Sequence, residues 1–178
     1  MRTVEATNRV QLVFSLFDAD GNGLLEAGDF ELMGSRVVAA VPTAGDARKQ
    51  AMLDAFRRFW TTLVTELDAD GDGRISQEEF TACVLNPARF DAASDVFARA
   101  MSALGSPEED GLVARPVFVA VLTAVGFQQA NIEALFEALG PTDDDRVAVD
   151  AWAEAIREYY RPEKAGIAGD HLTAGVAL

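Results

Sequence analysis

Histidine and cysteine are almost missing from this chain, with one of each, His171 and Cys83, in 178 residues. A lone cysteine rules out an intrachain disulfide and fits a reducing compartment. It lies in an apolar helical stretch, Phe80 to Leu85, where a buried inert thiol is expected rather than a nucleophile. A single histidine excludes a histidine-cluster metal centre. Phosphate loops of the G-x-x-x-x-G-K type and serine nucleophile motifs are also lacking, so nothing points to an enzyme. Basic residues are scarce, 15 against 29 acidic ones, for a formal charge of -14. That balance opposes nucleic acid and anionic lipid and leaves metal cations as the natural counter-charge. The N-terminus has no uninterrupted apolar run of the signal-peptide kind, and no later segment approaches the ~20 apolar residues of a membrane span. The expectation is a cytoplasmic monomer without nucleic-acid or membrane partners.

What the chain does have is apolar periodicity. With 49% apolar residues it can bury a substantial core. Apolar side chains recur at helical spacing, as in Val10, Val13, Phe14 and Phe17, then Phe56, Phe59, Leu63 and Leu67. Glycine and proline fall in clusters between these stretches. The pattern predicts helices at 3–17, 27–40, 46–67, 77–86, 90–104, 115–125, 128–139 and 149–161. Taken in twos they form four helix-loop-helix units, each with an apolar residue before its loop and an aromatic after it. Those pairs are Phe17 with Phe30, Leu67 with Phe80, Leu104 with Phe118, and Leu139 with Trp152. The predicted fold is all-α, four units in two pairs forming one compact bundle. An N-terminal pair spans 1–88, a C-terminal pair 89–161 and a tail 162–178.

Two of the four loops carry chemistry. In the loop Asp68 to Glu79, carboxylates Asp68, Asp70 and Asp72 occupy positions 1, 3 and 5, Gly73 turns the chain at position 6, and Glu79 stands at position 12. Calcium takes 6 to 8 hard oxygen ligands at ~2.3 to 2.6 Å, which these acids, the Arg74 carbonyl and a bidentate Glu79 supply. Ser76 sits at the position that often ligates through water and also suits the N-cap of the next helix, with Glu79 three residues on. Ile75, at position 8, is expected to pair with the same position of the neighbouring loop. The loop Asp18 to Asp29 repeats the design through Asp18, Asp20, Asn22, the Leu24 carbonyl, Glu26 and Asp29. Its position 12 is an aspartate, one methylene shorter than glutamate, which narrows the margin over magnesium.

The other two loops lack their strongest ligand. Around Ser106 to Val113 the glycine and the apolar position 8 survive, but Val117 stands at position 12 and the loop is one residue longer counted from Leu104. Around Gly140 to Val147 the length is kept, but Gly140 stands at position 1 and Ala151 at position 12. Structural pairing without metal is expected for both, and the acidic run Asp143 to Asp145 reads as a solvated loop.

The two complete loops match the EF-hand, and the chain as a whole resembles the sarcoplasmic calcium-binding proteins and their bacterial relative calerythrin. Loop starts at 18, 68, about 105 and 140 carry the resemblance, through a long first interval and shorter later ones. The tail Tyr159 to Leu172 is similar to that family's closing segment, which packs back on the bundle. Family members commonly keep a working third loop, whereas this chain keeps the first and second. The resemblance implies a cytosolic calcium buffer or signal modulator with two calcium ions, and magnesium as a competitor at the first loop. One alternative is a sensor that opens an apolar groove to a partner protein. Such sensors use methionine-rich grooves, and this chain has four methionines. A further alternative is a carrier of a small apolar ligand, related to photoproteins, built around Trp60, Trp152, Tyr159, Tyr160 and His171.

Overall fold

In the computed structural model, residues 3–67 and 71–177 are described. Among the described residues eight α-helices follow one another: α1 (Val4–Phe17), α2 (Ala27–Ala39), α3 (Asp46–Leu67), α4 (Gln77–Val84), α5 (Pro87–Leu104), α6 (Arg115–Val125), α7 (Gln129–Ala138) and α8 (Val149–Tyr159). A short 3-10 helix, Ala168–Thr173, lies in the tail. Helix starts are set by local capping. Thr3 Oγ1 accepts from the Ala6 amide at the head of α1, and Ser76 Oγ from the Glu79 amide at the head of α4. Helix α5 begins at Pro87 rather than at 90, because Asn86 caps the Ala88 amide and proline at the first helical position loses no hydrogen bond. Gly126, with φ of 114°, ends α6 in the left-handed region, which costs glycine little.

Consecutive loops join through short strands. β1 (Leu24–Leu25) runs antiparallel to β2 (Ile75–Ser76), with Leu25 opposite Ile75. β3 (Leu112–Ala114) runs antiparallel to β4 (Arg146–Ala148), with Val113 opposite Val147. The expected pairing through position 8 is therefore present in both halves, and all four of these residues are fully buried.

The apolar faces meet in one continuous core. Phe59 lies at its centre, ringed by Phe17, Phe30, Phe80, Phe90, Phe97 and Tyr160 at centroid distances of 4.7 to 6.2 Å. Helices α3 and α5 carry this packing between the halves. Phe17 and Phe30, which flank the first loop in sequence, touch at 4.7 Å. Trp152 covers Phe118 at 4.6 Å and leans against Gly105, where a Cβ would lie 2.4 Å from the indole.

The tail is clasped by a buried cation. Arg9 of α1, fully buried, donates to the carbonyls of Tyr159, Arg161 and Lys164 and pairs with Asp170 at 2.5 Å. An unpaired buried guanidinium would be very costly, so these acceptors fix the tail against α1. Asn131 of α7 holds the other end, donating to the carbonyls of Leu172 and Ala174. Burial pushes the Tyr159 hydroxyl pKa well up, and that hydroxyl donates to the Arg9 carbonyl at 2.9 Å. Among the described residues no helix is long and apolar enough to cross a membrane.

Candidate metal centre

The first loop bridges α1 and α2. Its backbone reverses twice, with Gly21 at φ 69° and Gly23 at φ 79°, both in the left-handed region at positions 4 and 6. Gly71 and Gly73 repeat this in the second loop, each at φ 71°. Nothing lies within 4 Å of where a Cβ would be at any of the four, so the demand is on the backbone and not on space.

Side chains fold inward over that backbone. The Asn22 amide donates to Asp18 Oδ1 and to Asp20 Oδ1, both at 3.1 Å, which brings those two carboxylates to one point. The Gly23 amide donates to Asp18 Oδ2 at 2.9 Å, and the Leu24 amide to Asn22 Oδ1 at 2.8 Å. In the second loop the Arg74 amide donates to Asp72 Oδ1 at 2.8 Å, the equivalent bond. Asp68 and Asp70 lie outside the described residues.

The position-12 acids turn toward position 9. Asp29 Oδ2 accepts from the Glu26 amide at 2.8 Å, and Glu79 Oε2 accepts from the Ser76 amide and hydroxyl, both at 2.8 Å. Each acid thus ties the start of its exiting helix to its own loop. The Glu26 carboxylate points across the strand pair and meets Arg74 Nε at 2.9 Å. Among the described residues no three histidine, cysteine, aspartate or glutamate side chains converge as a cage. The donor set is nonetheless all oxygen, with two carboxylates converged and the glycines placed to turn the chain, and it fits a hard cation such as calcium.

The third and fourth loops are arranged differently. Aligned on Val113 and Val147, Glu108 and Asp110 take positions 3 and 5 of the third loop, and Asp145 takes position 6 of the fourth. Arg146 reaches the acids at positions 3 and 5 of the third loop, 2.7 Å from Asp110 and 3.3 Å from Glu108. Arg115 grips both oxygens of Asp145 and also meets Glu133 at 2.6 Å and Glu137 at 2.5 Å. The Leu112 amide, and after it the Arg146 guanidinium, hold the Asp110 carboxyl pKa below its ordinary value. Arg115 does the same for Asp145. Glu109 and Asp145 adopt φ of 60°, a conformation that glycine holds at the equivalent positions of the first two loops. Sequence reasoning passed over Arg115, Arg146 and the Arg74 side chain, since an arginine in a loop carries no signal of where its fork lands. Burial raises the Cys83 thiol pKa to about 11, which keeps it protonated.

Comparison with known proteins agrees with this fold. Residues 7–85 match the EF-hand domain pair family. Calerythrin of Saccharopolyspora erythraea is 26% identical over 167 residues, which span 90% of this chain and 94% of that protein. The solved structure of a Streptomyces coelicolor calcium-binding protein superposes with a TM-score of 0.71 at 27% identity, covering 89% of this chain and 99% of that one. A sarcoplasmic calcium-binding protein from amphioxus shares the fold, with a TM-score of 0.70 at 18% identity over 99% of this chain and 100% of the other.

Proposed function

We propose that this chain, whose residues 7–85 match the EF-hand domain pair and which is similar to calerythrin over 90% of its length, is a cytosolic calcium buffer of that type holding two ions. One site is the loop of Asp18, Asp20, Asn22, the Leu24 carbonyl, Glu26 and Asp29. The other is the loop of Asp68, Asp70, Asp72, the Arg74 carbonyl, Ser76 and Glu79. Both belong to an N-terminal pair, residues 1–88, while residues 89–161 form a pair without metal and 162–178 the closing tail. The observation that carries this reading is the convergence of Asp18 and Asp20 on the Asn22 amide, above a backbone turned by Gly21 and Gly23. Calcium binding in the name of the Streptomyces protein supports it.

Calcium supplies charge neutralisation, drawing together carboxylates that otherwise repel. Asp29 and Glu79 already bind the first turn of α2 and α4 to their loops, so the residues that would hold an ion also fix the exiting helices. Scarcity of methionine favours buffering over sensing, since sensors use methionine-rich grooves and this chain has four, of which Met33, Met52 and Met101 are core residues. A cavity of about 70 Å³ inside the bundle, lined among others by Phe56, Phe97, Trp152 and Tyr160, is too small for a drug-sized ligand, and the wider cleft of about 500 Å³ between α2 and α3 beside Trp60 is lined also by Glu31, Ser35, Arg57 and Thr61, where a carrier needs a mostly apolar wall. Calorimetric titration with calcium, with and without millimolar magnesium, tests the reading. Two ions per chain are expected, with magnesium competing at the first loop. A stoichiometry of none, or of three or four, overturns it.

A further inference from the structure

The third and fourth loops keep acids at or beside ligand positions although their position-12 carboxylates are gone. Glu108 and Asp110 stand at positions 3 and 5 of the third loop, where an ion would be ligated. Such acids repel one another unless a cation lies between them. The cation present is a guanidinium delivered by the opposite loop. Arg146, at position 7 of the fourth loop, crosses the β3–β4 pair to Asp110 at 2.7 Å and Glu108 at 3.3 Å. Arg115, at position 10 of the third loop, crosses the other way to both oxygens of Asp145, and its guanidinium rests 4.2 Å from the centroid of the Phe136 ring. The main chain is cross-linked alongside, since the Arg115 amide donates to the Asp145 carbonyl at 3.2 Å and the Val149 amide to the Gly111 carbonyl at 2.9 Å.

The N-terminal pair supplies an internal control. Arg74 occupies position 7 of its loop, as Arg146 does, and it too crosses its strand pair. Its target is Glu26 at position 9, not the acids at positions 3 and 5, and the guanidinium is more exposed. The Arg74 side chain is 55% exposed, against 23% for Arg146 and 25% for Arg115, while the acids range from 36% for Asp110 to 76% for Glu108 with Glu26 at 45% between them. Arg48 adds a third guanidinium near the third loop, donating to the carbonyls of Ala103 and Ser106 and lying 3.6 Å from Glu109.

We propose that Arg146 and Arg115 are built-in counter-ions of the C-terminal pair, each lent by one loop to the acids of the other, so that this pair keeps its joined form without metal. The exchange is reciprocal, and it holds whether or not the first two loops take calcium.

The test is thermal unfolding of the full chain in excess chelator, followed by Trp152 fluorescence in a Trp60→Phe background. Trp152 packs on Phe118 and Gly105 of the C-terminal pair. Arg146→Gln should lower the midpoint by about 2 to 4 °C, the shift expected for roughly one such interaction in a domain of this size. Adding Asp110→Asn to Arg146→Gln should restore most of the loss, because it removes the repulsion that the guanidinium cancels. Arg146→Lys, which keeps the charge and loses the fork, should fall between parent and glutamine. A midpoint unchanged in Arg146→Gln overturns the proposal. So does a loss that Asp110→Asn leaves in place, which would make Arg146 a packing residue only. Chelation empties the N-terminal loops throughout, so failure here is distinct from failure of the calcium reading.

Discussion

The two halves of this molecule are built on one plan and answer the same electrostatic problem differently. Each half joins two loops through a buried apolar pair, Leu25 with Ile75 and Val113 with Val147. In each, a position-7 arginine crosses to the other loop. The N-terminal half gathers Asp18 and Asp20 around an amide and sets the position-12 acids at the head of the exiting helices. The C-terminal half has given up position 12 and placed guanidinium groups on its remaining acids. On the proposed function, the difference teaches that a paired-loop scaffold can neutralise its acids with either a bound ion or a side chain. A side chain is always present, whereas an ion makes stability depend on its concentration.

That dependence gives the largest expected effect. Saturating calcium at a hundred times the dissociation constant should stabilise the chain by about 2.7 kcal/mol per site, read as a rise in melting temperature over chelated protein. Indifference of melting to chelator would erase the contrast between the halves. A substitution at Gly105 strikes the C-terminal half instead. Its Cβ would meet the Trp152 ring at 2.4 Å, so Gly105→Ala should destabilise by about 1 to 3 kcal/mol through overpacking. Calcium affinity measured by titration should stay within a few fold of the parent, since the first two loops do not touch this contact.

Within the N-terminal half, Glu79→Gln should weaken the second site by more than tenfold, about 1.4 kcal/mol or more. Ser76→Ala should cost less, because position 9 often acts only through water while position 12 supplies two charged oxygens. Equal losses in a direct titration would contradict that ranking. Asp29→Glu should raise the first site's calcium preference several fold and reduce the rescue of melting by magnesium, which a shorter acid serves better through one oxygen. Equal magnesium rescue of parent and variant would show that the position-12 side chain does not set selectivity.

The smallest effect is expected from acid. Asp110 and Asp145 have folded pKa values below the ordinary 3.8. Their contribution is therefore complete above that value and is lost as pH falls through the folded pKa. Both pairs are partly exposed, so the effect should be modest. In chelator, the melting temperature seen through Trp152 should show no loss from these pairs between neutral pH and about 5, and should lose their share only below the ordinary carboxylate range.

Much of the architecture was legible without coordinates. Seven of the eight predicted helices begin within a residue of their positions in the structure, because capping and apolar periodicity act within a turn or two of chain. The exception was α5, predicted from 90, which starts at Pro87 because Asn86 caps it and proline takes the first helical position. The 3-10 turn of the tail was missed as well, for its residues are held by contacts to distant α1 and α7 rather than by any pattern of their own.

The turn of the first loop belongs to the sequence alone, since Asp18 and Asp20 reach one amide within the loop and each glycine meets a demand of its own backbone. The exchange of arginines does not. Arg115 and Asp145 are 30 residues apart, and Arg146 and Glu108 are 38 apart. Only the β3–β4 register decides that each fork lands on the other loop's acids. The buried clasp of Arg9 on Asp170 spans 161 residues and needs the whole bundle to close before its acceptors exist. Local chemistry fixes what each loop can bind, while tertiary packing fixes which loops are already supplied with a cation, because charge is satisfied by whatever the fold brings near.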